Sequence, residues 1–150
     1  MKNKALLLLA VFTALLSYPA FAQKVNDGRI AFERMQFAVA AKLLEKEYNK
    51  SKSRVEQGKL AFLLGESYRR INKSAQSIRW YQTAYNNQYG PDALRELAFA
   101  LKRAERYDDA AQAFKDLGIE IGSPYEYRRE ISACRTADGW KKNSASAAEY

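Results

Sequence analysis

Seven side chains combine residue type and spacing in a way that suggests binding chemistry. Arg69, Lys102 and Arg135 recur every 33 residues, Phe62, Arg95 and Arg128 do the same, and Phe99 lies between them. If residues one period apart stand side by side, like charges raise the free energy until a counter-charge arrives. The chemistry favoured is attraction of an acidic segment, flanked by aromatic contacts. Catalysis is not favoured. The chain has no His and a single Cys, which excludes a His/Cys metal site, an intramolecular disulfide and a Ser-His-Asp arrangement. Asp108 and Asp109 have the form of paired carboxylates for acid–base work, but at the start of a helix they read as compensation of the macrodipole. Cys134 falls on a core position and reads as a small buried apolar group rather than a reactive thiol. No nucleophile–base pair, phosphate loop or metal cluster is present, so no catalytic residue, cofactor or metal is expected. The net charge is +8, but the basic residues sit in no nucleic-acid motif, and no nucleic-acid partner is expected.

The elements that must position these residues are helical. Leu64, Tyr68, Ser77, Tyr81 and Ala84 recur as Leu97, Leu101, Ala110, Phe114 and Leu117, again at an offset of 33. Each half reads as a helix with apolar residues at three- and four-residue spacing, a short polar turn, and a second such helix. A hairpin this thin buries its apolar face only against the next copy, so the period predicts an all-α stack. Gly65 and Ala98 are the small residues that let paired helices approach. Trp80 beside Tyr81 reads as packing, with an exposed anchor as the alternative.

An earlier copy runs from Asn26 to Lys50, where Phe37, Ala40 and Leu44 take the places of Tyr107, Ala110 and Phe114. A short helix from about Asp27 to Arg34 precedes it, and the polar run Asn49 to Ser53 follows as a longer loop. After Leu117 the chain is expected to turn at Gly118 and Gly122, with Pro124 starting a helix as Pro91 does. That helix, about Tyr125 to Arg135, should turn Tyr127, Ile131 and Cys134 inward. Asp138-Gly139 reads as a turn and Lys141 to Ser146 as a linker.

The motifs carry a resemblance. Leu64, Gly65 and Tyr68, then Ala75 to Ala84 with Trp80-Tyr81, resemble a tetratricopeptide (TPR) repeat, and Leu97, Ala98, Leu101 and Tyr107 to Phe114 repeat the pattern. The resemblance implies about three and a half repeats in a right-handed superhelix of antiparallel hairpins, with first helices lining the concave face. It therefore implies that Phe62, Arg69, Arg95, Phe99, Lys102, Arg128 and Arg135 line that face. The carboxylate clamp of chaperone-type TPRs is not matched, because Phe62, Glu66 and Phe99 stand where Lys and Asn are needed. Glu66, Asp92 and Glu96 offer an alternative in which the cationic columns are neutralised internally.

Residues 1–22 form a separate segment. Lys2 and Lys4, the apolar run Ala5 to Leu16 broken only by Thr13, and Ala20-Phe21-Ala22 make a tripartite secretory signal peptide. It is too short for a retained span, and Pro19 breaks it. The mature chain is expected to begin at Gln23, with residues 23–137 as the repeat domain and 138–150 as a tail leading to a further module. A signal peptide followed directly by A-x-x-L-L-E-K-E-Y (Ala40 to Tyr48), L-L-G-E-S-Y-R-R-x-N (Leu63 to Asn72) and C-x-x-A-x-x-W (Cys134 to Trp140) resembles the N-terminal part of OmpA-family proteins of Bacteroidetes. Those proteins follow their TPRs with a β-propeller and a peptidoglycan-binding domain, and some serve type IX secretion and gliding. Neither later domain is in this sequence, so peptidoglycan contact is expected only through a domain not present here. The resemblance implies an exported, periplasmic scaffold at the inner face of the outer membrane, with no membrane span after cleavage. Its partner would be an acidic envelope protein or peptide. The alternative is a structural spacer or an accessory subunit of an envelope enzyme complex.

Overall fold

Helix starts and stops in this chain follow local chemistry. A computed structural model describes residues 25–147; the expected signal segment lies outside them. Among these residues seven helices follow one another: α1 Gly28–Glu33, α2 Phe37–Lys50, α3 Arg54–Arg70, α4 Ser74–Asn86, α5 Pro91–Arg103, α6 Tyr107–Glu120 and α7 Arg128–Ala147. Among the described residues there is no strand. The Asp27 carboxylate caps α1 by accepting from the Arg29 and Ile30 amides at 2.8 and 3.0 Å. The Ser53 hydroxyl accepts from the Glu56 amide at the start of α3, and Pro91 opens α5 where its missing N–H costs nothing.

Five helices stop in the same way. Residues Met35, Asn72, Gln88, Glu105 and Gly122 take φ between 57° and 70°. In each case the next amide donates back to a carbonyl five residues earlier, as Lys73 does to Tyr68 and Arg106 to Leu101. This is the Schellman closure, which satisfies the last carbonyls of a helix. Only the last of the five turns uses glycine.

Each helix packs chiefly on its neighbours in sequence, so the short turns fold the chain back on itself repeatedly. Leu64, Tyr81, Ala84, Leu97, Ala98, Leu101, Ala110, Phe114 and Leu117 are buried, as the 33-residue pattern requires. Ala31, Ala40 and Leu44 bury the first hairpin, and Trp80 is buried edge-on against Tyr48, with ring centres 5.0 Å apart. Gly65 lies under the Tyr81 ring so closely that a Cβ would meet Cδ1 at 2.5 Å.

The end of the chain departs from expectation. Gly118 does not turn; it is buried within α6, where a Cβ would lie 3.1 Å from the Ser123 carbonyl oxygen. Pro124 does not begin a helix either: residues 124–127 form a turn, and α7 starts at Arg128. Asp138-Gly139, expected as a turn, and the run from Lys141, expected as a linker, lie inside α7. The reason is tertiary. Lys141 donates to the Glu105 carbonyl oxygen at 3.2 Å and pairs with its carboxylate, while Lys142 bridges Asp108 at 3.2 Å and Asp138 at 2.5 Å. These contacts hold the second half of α7 against the α5–α6 turn and override weak local propensity. The polar loop is shorter than expected, with α2 running through Asn49 to Lys50.

Candidate functional site

The predicted residues lie on alternate helices α3, α5 and α7. Their environments divide them into three groups. Phe62 and Phe99 are half-buried packing residues. Phe62 stacks on Tyr89 with ring centres 4.3 Å apart and leans on Tyr81 at 5.8 Å. Phe99 meets Phe114 edge-on at 5.0 Å. Both rings wall the surface while supporting the core beneath it.

Arg69, Arg95 and Arg128 are already engaged. Arg69 forks onto Glu66, Nε to Oε1 at 3.1 Å and Nη2 to Oε2 at 2.6 Å. The buried Tyr81 hydroxyl donates to the same carboxylate at 2.5 Å. Burial pushes the Glu66 carboxyl up, but the Arg69 and Tyr81 hydrogen bonds and the nearby guanidinium charges outweigh it and leave the group below its ordinary range. Burial, followed by the bond to Glu66, pushes the Tyr81 phenol well up. Arg95 pairs with Asp92 at 2.7 Å on the exposed surface. Arg128 lies over the Tyr125 ring, 4.7 Å from its centre. Internal neutralisation by Glu66 and Asp92 therefore occurs, whereas Glu96 forms no ion pair among the described residues.

Lys102 and Arg135 form the third group. Lys102 is half-buried and Arg135 exposed. Among the described residues neither forms an ion pair, and the same is true of Arg103. The Lys102 charge reaches α7: burial pushes the Cys134 thiol up, and Lys102 opposes that rise. Cys134 itself is fully buried.

Reading the sequence missed one feature of this surface. A cleft of about 250 Å³ opens between the α3–α4 turn and α5, lined by Arg69, Asn72, Ser74, Ser77, Ala100 and Arg103. Arg103 stands 33 residues after Arg70, so the period that marked the other columns also marked this one. Among the described residues no group of His, Cys, Asp and Glu could hold a metal ion, and no helix is long and apolar enough to cross a membrane.

No protein-family model matches the chain, and no curated protein matches it.

Proposed function

We propose that the chain is an exported scaffold of the TPR type, with about three and a half hairpins in a right-handed superhelix. The face built by α3, α5 and α7 receives an extended acidic segment of another envelope protein. The carrying observation is that Lys102 and Arg103 on α5 and Arg135 on α7 form no ion pair among the described residues, while Phe99, on the same helix as the first two, is half-buried. A solvated surface cation is ordinary, but three of them on the helices of one face offer a complementary surface for carboxylates. The two N-terminal resemblances, to a signal peptide and to the TPR part of OmpA-family envelope proteins, support export to the periplasm and a place at the inner face of the outer membrane. Lack of any catalytic constellation supports a binding role over an enzymatic one.

A spacer role is the second reading, and the Arg69–Glu66 and Arg95–Asp92 pairs favour it because they remove two of the seven predicted contacts. The two readings differ in whether the remaining cations matter. Envelope extract is passed at low salt over the wild-type chain and over a Lys102→Glu, Arg135→Glu variant of unchanged helicity. A scaffold loses its specific partner in the variant; equal recovery of every protein by both refutes the groove.

A further inference from the structure

The charge inventory around the small cleft is unbalanced. Two guanidinium groups, Arg69 and Arg103, line it, and Glu66 answers only the first. Arg95 pairs with Asp92, Arg106 with Asp109, and Lys142 with Asp108 and Asp138, whereas Arg103, like Lys102 and Arg135, forms no ion pair among the described residues. Basic residues in the last turns of α3 and α5 suit those helix ends, but a helix end carries only about half a negative charge. Arg103 is left without a carboxylate, exposed at the rim with Asn72 and Ser74, while Ser77 and Ala100 are buried. At about 250 Å³, against roughly 30 Å³ per water, the space suits a single acidic side chain with a few waters and is too small for a folded element.

We infer that this cleft anchors one aspartate or glutamate side chain of the acidic partner, held by Arg103 and by the edge of Arg69 turned away from Glu66. The inference rests on the scaffold reading above and adds to it the point of attachment. Arginine is suited to the role, because its planar fork offers two parallel N–H donors to a carboxylate and remains charged at any working pH. Asn72 and Ser74 supply further donors at the rim. The Nε–Nη2 edge of Arg69 is already fixed by Glu66, so this side chain loses little freedom when the anchor seats. Lys102 and Phe99, on the same helix as Arg103, then meet the residues that follow the anchor.

The test uses a fluorescein-labelled peptide of glutamates around one phenylalanine, titrated against the mature chain and read by anisotropy at several salt concentrations. Wild type binds, and binding weakens as salt rises. Arg103→Glu weakens binding roughly tenfold, since one exposed attraction is replaced by a repulsion of like size. Arg103→Gln, which carries no charge and strains nothing, weakens it by about three- to fivefold. Lys115→Glu, an exposed site on α6 with the same change in net charge, alters it by less than about twofold. If Arg103→Glu and Arg103→Gln bind no more weakly than Lys115→Glu while Lys102→Glu with Arg135→Glu abolishes binding, the cleft is refuted and the scaffold stands. If the wild-type chain does not bind the peptide even at low salt, both are refuted.

Discussion

Adding one methyl group at Gly65 tests the tightest contact in the fold. Built on the present backbone, the new Cβ lies 2.5 and 2.6 Å from Cδ1 and Cε1 of Tyr81 and 3.0 Å from Cγ. The ring has little room to retreat, because Phe62 leans on it and its hydroxyl is held by Glu66. Forcing a methyl into such a contact costs about 1–3 kcal/mol. The same change recovers about 0.8–1 kcal/mol of helix propensity. Gly65→Ala should therefore destabilise by up to about 2 kcal/mol. At a few degrees per kcal/mol for a domain of this size, that is a fall in Tm of up to roughly 8 °C, read by circular dichroism. Gly139→Ala is the matched control. Gly139 lies within α7 with nothing within 4 Å of a Cβ, so the propensity gain stands alone and protection from amide exchange should rise in α7. A Gly65→Ala chain that melts higher than wild type would show that α3 and α4 do not approach as described.

Three further outcomes follow from particular groups. The lowered pKa of Glu66 stabilises the fold above the unfolded-state value of about 4.3 and ceases to do so as pH falls through the folded value; denaturant titrations of Glu66→Gln should accordingly lose part of the acid-side slope, and an identical slope would contradict the assignment. Gln88 is an exposed side chain at φ 61°, so Gln88→Gly should relieve about 1–2 kcal/mol of left-handed strain, less about 0.4–1 kcal/mol of added unfolded-state entropy, and raise the melting midpoint slightly. Under the proposed export, mass spectrometry of the natively expressed protein should find Gln23 at the N-terminus, and an intact Met1 on soluble material would remove export from the reading.

Repetition was the most legible property of the sequence. The positions shared between Leu64 to Ala84 and Leu97 to Leu117 are those where side chains of two helices must interlock, and a contact imposed on every unit leaves a periodic trace. The turns left less trace. Met35, Asn72, Gln88 and Glu105 close their helices without glycine, so the usual C-terminal signal is missing while the hydrogen bonds are present. Gly139 and Pro124 misled for the opposite reason: each has a strong local meaning that distant contacts overrode. At the candidate site, the period located Arg69 and Arg95, and Glu66 and Asp92 were visible three residues before them. Spacing alone does not say whether such a cation turns to its own helix or to a partner, because the two geometries differ by rotamers rather than by residue type. Arg103 shares the 33-residue spacing with Arg70 but directly follows Lys102, and spacing does not tell which of two adjacent cations borders a cleft.

The buried side chains fall into two clusters, one centred on Leu44, Leu64 and Trp80 and the other on Leu97, Leu101 and Phe114. Phe62 and Tyr85 lean on both. With contacts confined almost wholly to successive helices, the packing divides at an aromatic seam, across which Tyr81 of α4 joins the second cluster and Ala93 of α5 the first. Contacts between near neighbours in sequence close short loops, which favours fast assembly within each cluster. Strain applied at α7 is therefore expected to disturb the second cluster first, because it reaches the first hairpin only through α4, α5 and the two shared rings.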